Sequence, residues 1–254
     1  MTKRSQSIIH KLYPLCFLAI LLFAWWLVCE LSLVPAFMLP SPGKVLSALW
    51  NEAPRLWENA LVSLQEAFIG LLFSVLASFL LAVLMDRFRF LYQALYPVLV
   101  VTQTIPVIAI APLLVLWLGY GTLPKVVLVF SACFFPLVVG VLSGFASVDR
   151  DVLRLMSSMG ATRRQILFQV KLPSSLDSFF AGLRISVAYS VVSAVVAEWL
   201  GGEAGLGVYM TRVRKAYAFD KMFAVIFLIS ALSLVLMKLV DLAQKKMMPW
   251  KNTQ

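Results

Sequence analysis

Charge is the first thing this sequence has little of. Asp, Glu, Lys and Arg make up 13% of its 254 residues, while 61% are hydrophobic and mean hydropathy is +0.91. Soluble domains run at roughly a quarter charged residues, so too little polar surface is available to cover a water-soluble globule. Lipid accepts an apolar exterior, and an all-α membrane protein follows.

Histidine and cysteine are nearly as scarce. His10 is the one histidine, and Cys16, Cys29 and Cys133 lie inside apolar runs without metal-ligand spacing. They read as small buried hydrophobes, with no metal bound. No G-x-x-x-x-G-K-[ST] loop is present, so the chain carries no ATP site of its own. A serine nucleophile elbow, a His-based zinc motif and a clustered carboxylate pair are all missing, which argues against an enzyme. The net charge of +10 would raise the question of nucleic acid in a soluble protein. Here the basic residues punctuate apolar spans, and the membrane reading prevails.

About six runs reach the ~20 residues that a helix needs to cross a ~30 Å hydrocarbon core: 15–33, 61–85, 95–118, 123–146, 182–200 and 222–240. Glu30, Glu66, Lys125, Arg184, Glu198 and Lys238 lie within a turn or two of span ends, from where they are expected to reach the headgroups. Orientation follows from Lys and Arg. With both termini cytoplasmic, the outer side keeps Lys44, Arg55, Lys125, Arg212, Arg214, Lys215 and Lys221, and the rest fall inside. The cluster from Arg212 to Lys221 resists this placement. The first span has a basic start like a signal peptide, but its core is long and no Ala-x-Ala site follows promptly, so it reads as an anchor.

Small residues recur along the second span at Ala67, Gly70, Ser74, Ala77 and Ser78, fitting either a close helix interface or ordinary membrane composition. Pro106 and Pro112 should kink or interrupt the third span, either facing a pathway or as a packed structural kink. Before the second span, Ser41 and Pro42 suit the start of an amphipathic stretch, Lys44 to Asn59, lying along the outer surface.

The longest polar interval, 147–181, has the pattern of a folded elbow. Asp149 and Asp151 favour a helix start, and Val152, Leu155, Met156 and Met159 follow in helical rhythm. Gly160 offers a stop. Thr162 and Gln165 have capping-box spacing and open a second short helix, which Leu172-Pro173 should end. Met156, Met159, Ile166, Leu167 and Phe168 are left for packing, against the protein's own helix ends or against a partner. Arg163 and Arg164 suit acidic groups on such a partner or lipid headgroups equally.

The run Met159-Gly160-Ala161-Thr162-Arg163-Arg164-Gln165-Ile166, followed by Lys171-Leu172-Pro173, resembles the cytoplasmic loop of ABC importer permeases. Other stretches resemble the subgroup that includes nitrate, sulfonate, taurine and thiamine-precursor permeases. They are Leu39-Pro40-Ser41-Pro42, Thr104-Ile105-Pro106 through Ala111-Pro112-Leu113 to Trp117-Leu118-Gly119, Glu198-Trp199-Leu200-Gly201 and Gly205-Leu206-Gly207. The family's Glu-Ala-Ala opening falls at Arg154-Leu155-Met156, a departure from the pattern.

The resemblance implies a type I ABC importer permease-like bundle, a single domain over 1–254, in a bacterial inner membrane. Its implied partners are two ATPase subunits carrying ATP and Mg, a substrate-binding protein, a second permease copy and membrane lipid. The coupling residues it implies are Arg154, Leu155, Met156, Met159, Gly160, Ala161, Thr162, Arg163, Arg164, Ile166, Leu172 and Pro173. Pro106, Pro112, Glu198, Gly205 and Gly207 are pathway or gate candidates, although the position of Glu198 favours a solvated interfacial residue. The solute leans toward a thiamine-precursor pyrimidine or related heterocycle, with sulfonate, taurine or nitrate as the alternative. An ATP-independent secondary transporter or channel would instead place charged coupling residues at mid-membrane.

Overall fold

The computed structural model describes residues 3–35 and 37–249, with side chains for 13 and from 16 onward. The flanking positions, including Lys251, lie outside the described residues, as do the side chains of Lys3, Arg4, His10 and Lys11.

Eleven α-helices are formed among the described residues: α1 (Lys3–Glu30), α2 (Pro42–Asn51), α3 (Ala53–Arg87), α4 (Arg89–Thr102), α5 (Val107–Leu118), α6 (Thr122–Ala146), α7 (Arg150–Ser158), α8 (Arg163–Ile166), α9 (Leu172–Gly201), α10 (Leu206–Lys215) and α11 (Phe219–Met247). Four runs are long and apolar enough to cross a membrane: α3, α6, the continuous stretch 163–201 and α11. The bent pair α4–α5 makes a fifth if it counts as one span, and Cys16–Glu30 of α1 is a shorter apolar stretch, so the described residues are roughly consistent with about six.

Two compact units are present, Met1–Glu58 with Tyr209–Leu228, and Asn59–Val208 with Ile229–Gln254. In the smaller unit, Val45 and Ala48 of α2 are buried with Ala224 of α11, and Trp25 and Phe223 pack beside them. The Trp25 ring stacks on Phe223 and Phe227, with centroids 6.0 and 5.8 Å away, and its Nε1 donates to Pro40 O at 3.1 Å. Glu52 accepts from Lys221 and from the Tyr209 hydroxyl. The Lys221 hydrogen bond holds the Glu52 carboxyl below its ordinary range, while burial pushes the Tyr209 phenol up to about 12. The expected surface stretch 44–59 is therefore two elements. Ser41 and Pro42 open α2 as anticipated, but α2 stops at Asn51 and residues from Ala53 belong to α3.

The core of the larger unit is α3, α6 and α9. Met85, Val129, Leu137, Val141, Phe180 and Val191 fill it. Helices approach closely here because small residues face backbone. A Cβ built on Gly182 would lie 2.6 Å from Pro136 O, and one on Gly140 2.7 Å from Ser178 O. Cys133 Sγ donates to Ser186 O at 3.1 Å, and Ser186 Oγ returns a bond to Cys133 O at 3.0 Å. Both side chains thereby satisfy themselves on the facing backbone, which a water-free interior demands. Of the two readings of the small-residue stripe on α3, the interface is the one formed. Ala67, Ser74 and Ser78 are fully buried, Gly70 sits against Val129, and Ser74 Oγ reaches Phe130 O at 3.1 Å.

The expected interruption of the third span is present: α4 and α5 meet at a bend of 99°. The break falls at 103–106, where Gln103 and Thr104 make tight turns onto Val100 and Val101 and Pro106 starts α5 without an N–H. Pro112 lies within α5, and Pro97 and Pro136 are likewise accommodated inside α4 and α6.

Two expectations need correction. Leu172-Pro173 does not end a helix. Residues Leu167–Lys171 form a π-helical turn, and α9 continues directly from it with Pro173 in its first turn. The wider turn absorbs the ring and the missing donor.

Lastly, α9 and α11 outrun the expected 182–200 and 222–240, because their charges pair with one another. Arg184 bonds Asp241 at 2.8 Å and Gln244 at 3.1 Å, and Gln244 bonds Asp177 at 3.1 Å. Arg184 is thus held between helices, not extended toward headgroups.

Replacing Gly182 by Val should destabilise the protein by about 1–3 kcal/mol, the usual cost of overpacking. Gly43, whose Cβ would meet nothing within 4 Å, should tolerate Ala with little change. Thermal unfolding midpoints in detergent check both.

Candidate functional site

The elbow between α6 and α9 is built by local hydrogen bonding. Asp149 caps α7 by accepting from Asp151 N at 2.8 Å. At the other end Ala161 N bonds Met156 O at 3.0 Å and Gly160 N bonds Ser157 O at 3.1 Å, the paired closure of a helix that stops on a left-handed residue. That residue is Gly160, at φ +78°. A Cβ there would meet nothing within 4 Å, so its backbone angle and not crowding calls for glycine.

The chain then enters α8 through a complete capping box. Gln165 N donates to Thr162 Oγ1 at 3.3 Å, and Thr162 N donates to Gln165 Oε1 at 2.7 Å. Lys171, in the π turn, ties the exit of the elbow to the end of α3 through Asp86, at 2.6 and 2.8 Å.

What these constraints leave outward is apolar. Val152, Leu155, Met159 and Phe168 are exposed, the last three by 62%, 74% and 65%. Met156, Ala161, Ile166 and Leu172 are half-buried, and Pro173 is exposed. Arg154 pairs with Asp151 at 3.2 Å on the open surface, a bond of little energetic weight. Arg163 and Arg164 are exposed and, with Arg87, Asp86 and Lys171, line a cavity of about 610 Å³ whose apolar side is Val83, Leu153, Ile166 and Leu167.

The other candidates divide. Pro106 and Pro112 are exposed on α5. Glu198 is 1% exposed, which overturns the expectation of a solvated interfacial residue. Its Oε1 accepts from Ser63 at 2.6 Å and its Oε2 from Gly207 N. Ser63 Oγ in turn accepts from Leu206 N at 2.9 Å, and Asn59 Oδ1 from Gly205 N at 3.0 Å. The amino end of α10 is therefore capped by side chains of α3 and α9. Gly205, at φ +117°, and Gly207 are present because any Cβ would run into Glu198 or Val195 O. They belong to an anchored turn and not to a slack loop.

Beside this cap, Lys125 Nζ bonds Glu66 Oε1 at 2.6 Å, with both side chains buried. Sequence reading placed these two at headgroup level and passed over Asn59 and Ser63. The signal was there: residues 59, 63 and 66 fall at helical spacing on one face of α3. The Asp86–Lys171 tie, between residues 85 apart, left none.

Residues 70–249 match the model of the family described as binding-protein-dependent transport system inner membrane component. The chain is 35% identical to the formylaminopyrimidine transport permease protein ThiX of Halalkalibacterium halodurans, over 99% of this chain and all of that one. It is 30% identical to the taurine transport system permease protein TauC of Escherichia coli, over 92% and 87%. The fold is similar to the crystal structure of an amino acid ABC transporter with histidines, at TM-score 0.66 and 16% identity, covering 80% of this chain and 98% of that one.

Gly160→Val should strain the elbow by about 1–2 kcal/mol, since a branched side chain resists the left-handed region. Gly160→Asn should cost less, because Asn enters that region more readily. Limited proteolysis within 150–170 should quicken for Val and stay near the parent for Asn.

Proposed function

We infer the working parts from one premise: the chain belongs to the family of binding-protein-dependent transport system inner membrane components, the permease subunits of ABC importers. It is a transport subunit of the inner membrane and not an enzyme, and ATP is hydrolysed on a separate subunit. The importer also includes a substrate-binding protein.

The elbow is the surface on which the ATPase docks. The observation that carries this reading is its combination of a rigidly closed backbone with exposed Leu155, Met159 and Phe168. Apolar side chains of this size, held in place and not tucked back, gain from being covered. Arg154, Leu155 and Met156 take the positions of the Glu-Ala-Ala opening. Gly160, Ala161 and Thr162 set the turn, and Arg163, Arg164 and Ile166 follow it. Leu172 and Pro173 start α9, which is continuous with the elbow.

On this reading the elbow and both termini face the cytoplasm. Two copies of the chain assemble with two ATPases that bind ATP and Mg. A shift of the elbow travels along α9 toward Glu198 and the 205–207 turn, a two-state rearrangement that ATP biases. Pro106 and Pro112 lie on the broken α4–α5 segment, and interrupted helices at membrane depth are tolerated against protein or a water-lined path.

The solute is a thiamine-precursor pyrimidine or a related flat heterocycle, supported by the 35% identity to the formylaminopyrimidine permease along the whole chain.

Leu155→Asp combined with Met159→Asp should weaken retention of the ATPase by about ten-fold or more, because central apolar anchors dominate such interfaces. Both side chains are exposed, so the variant should still reach the membrane folded. Undiminished ATPase co-purification would refute the docking assignment. Calorimetry on the partner binding protein should show tight binding of an aminopyrimidine and not of taurine; the reverse result would reassign the solute.

A further inference from the structure

At the carboxy-terminal end of α3, cations outnumber the carboxylates beside them. Arg87 of α3, Arg163 and Arg164 of α8 and Lys171 of the π turn line one cavity of about 610 Å³, with Asp86 as its one acidic residue. That volume suits a small ligand. Both oxygens of Asp86 accept from Lys171, at 2.6 and 2.8 Å. None of the three arginines makes an ion pair among the described residues, and the Arg87 guanidinium lies 5.7 Å from the Phe88 ring centroid. Like charges gathered around one cavity repel, and an anion seated among them removes that cost.

The rest of the wall indicates what kind of anion fits. Its apolar side is Val83, Leu153, Ile166 and Leu167, and the Ser157 hydroxyl is already engaged with Leu153 O at 2.9 Å. Val83 lies one turn before Arg87, inside the apolar span that Arg87 closes. Immediately beyond, Phe88 and Phe90 are 51% and 77% exposed, large rings that gain from being covered by lipid. The cavity also lies apart from the exposed apolar face of the elbow. Leu153 and Ser157 line it, whereas Leu155 and Met159, two residues further on in each case, project about 200° around the same helix. A subunit docked on Leu155 and Met159 meets the opposite face of α7.

We propose that this cavity binds the phosphate of an anionic phospholipid, held by Arg87, Arg163 and Arg164 where α3 reaches the membrane surface. Guanidinium groups match the paired oxygens of a phosphate. Lys171 stays with Asp86, and the first carbons of the lipid lie on Val83, Ile166 and Leu167. A zwitterionic headgroup would bring a further cation into a site that already has a surplus, so the preference is for lipid of net negative charge. Lipid seated here joins the end of α3 to α8 beside the elbow. The site requires only that α3 ends at the membrane surface, and it stands apart from the docking assignment.

The test uses the intact importer in detergent, with native mass spectrometry counting the lipids retained. Phosphatidylglycerol should be held about ten-fold more strongly than phosphatidylcholine, and millimolar inorganic phosphate should not displace it. Arg87→Gln combined with Arg163→Gln should abolish that preference, since each cation near an anionic headgroup contributes several-fold. Arg89→Gln, at an exposed arginine outside the cavity, should leave the preference intact. An unchanged preference in the double variant, or an equal loss in Arg89→Gln, would overturn the proposal. So would displacement by inorganic phosphate, which marks a site for free anions. Loss of the ATPase from the double variant with its lipid preference unchanged would give these arginines to the partner subunit instead, and overturn it too.

Discussion

The close approach of α6 and α9 is the constraint on which the larger unit rests. In lipid there is little hydrophobic drive to bring helices together, so contact must come from packing and from bonds made on facing backbone. Gly140 and Gly182 let backbone meet backbone, and the reciprocal bonds of Cys133 and Ser186 fasten the same seam. The stripe Ala67, Gly70, Ser74 and Ser78 brings α3 onto the same helix. A bundle joined this way moves as packed bodies more readily than it bends.

That rigidity gives α9 its mechanical meaning. It starts beside the elbow, where a π turn admits Pro173 without ending the helix, and runs 30 residues to Gly201, roughly 45 Å at 1.5 Å per residue. At its start Lys171 is tied to the end of α3, and near its finish Glu198 is tied to α3 again through Ser63. Polar ties therefore sit at both ends of the helix with an apolar seam between them. On the proposed reading, a displacement imposed at the elbow would reach the α10 cap along this helix.

Two kinds of polar group are handled differently. Along the elbow, Arg154, Arg163 and Arg164 stay exposed, where solvent pays their hydration and a partner can replace it. Inside the bundle the buried charges need partners within the protein: Lys125 bonds Glu66, and Glu198 accepts from Ser63 and Gly207 N. An importer permease needs both. Its ATP is hydrolysed on a separate subunit, and its helices must hold together without water between them.

The sequence by itself determined the membrane class, the approximate number of spans, the family, and the elbow with its Gly160 stop and Thr162–Gln165 box. Each of these depends on composition or on neighbours within a few residues, such as periodicity, capping and turn chemistry. It also marked the small residues of α3, though not what they touch. Only the tertiary structure decided which prolines break a helix. That choice depends on whether surrounding backbone can take up the freed carbonyls, so Pro106 interrupts while Pro112 and Pro173 do not. Only the fold, too, turned charges near span ends into partners. Arg184 meets Asp241, and Glu66 meets Lys125, across distances in the chain that no local pattern encodes. Single residues announce their polarity, but a buried charge is tolerable only beside a specific partner, and folding alone brings that partner to it.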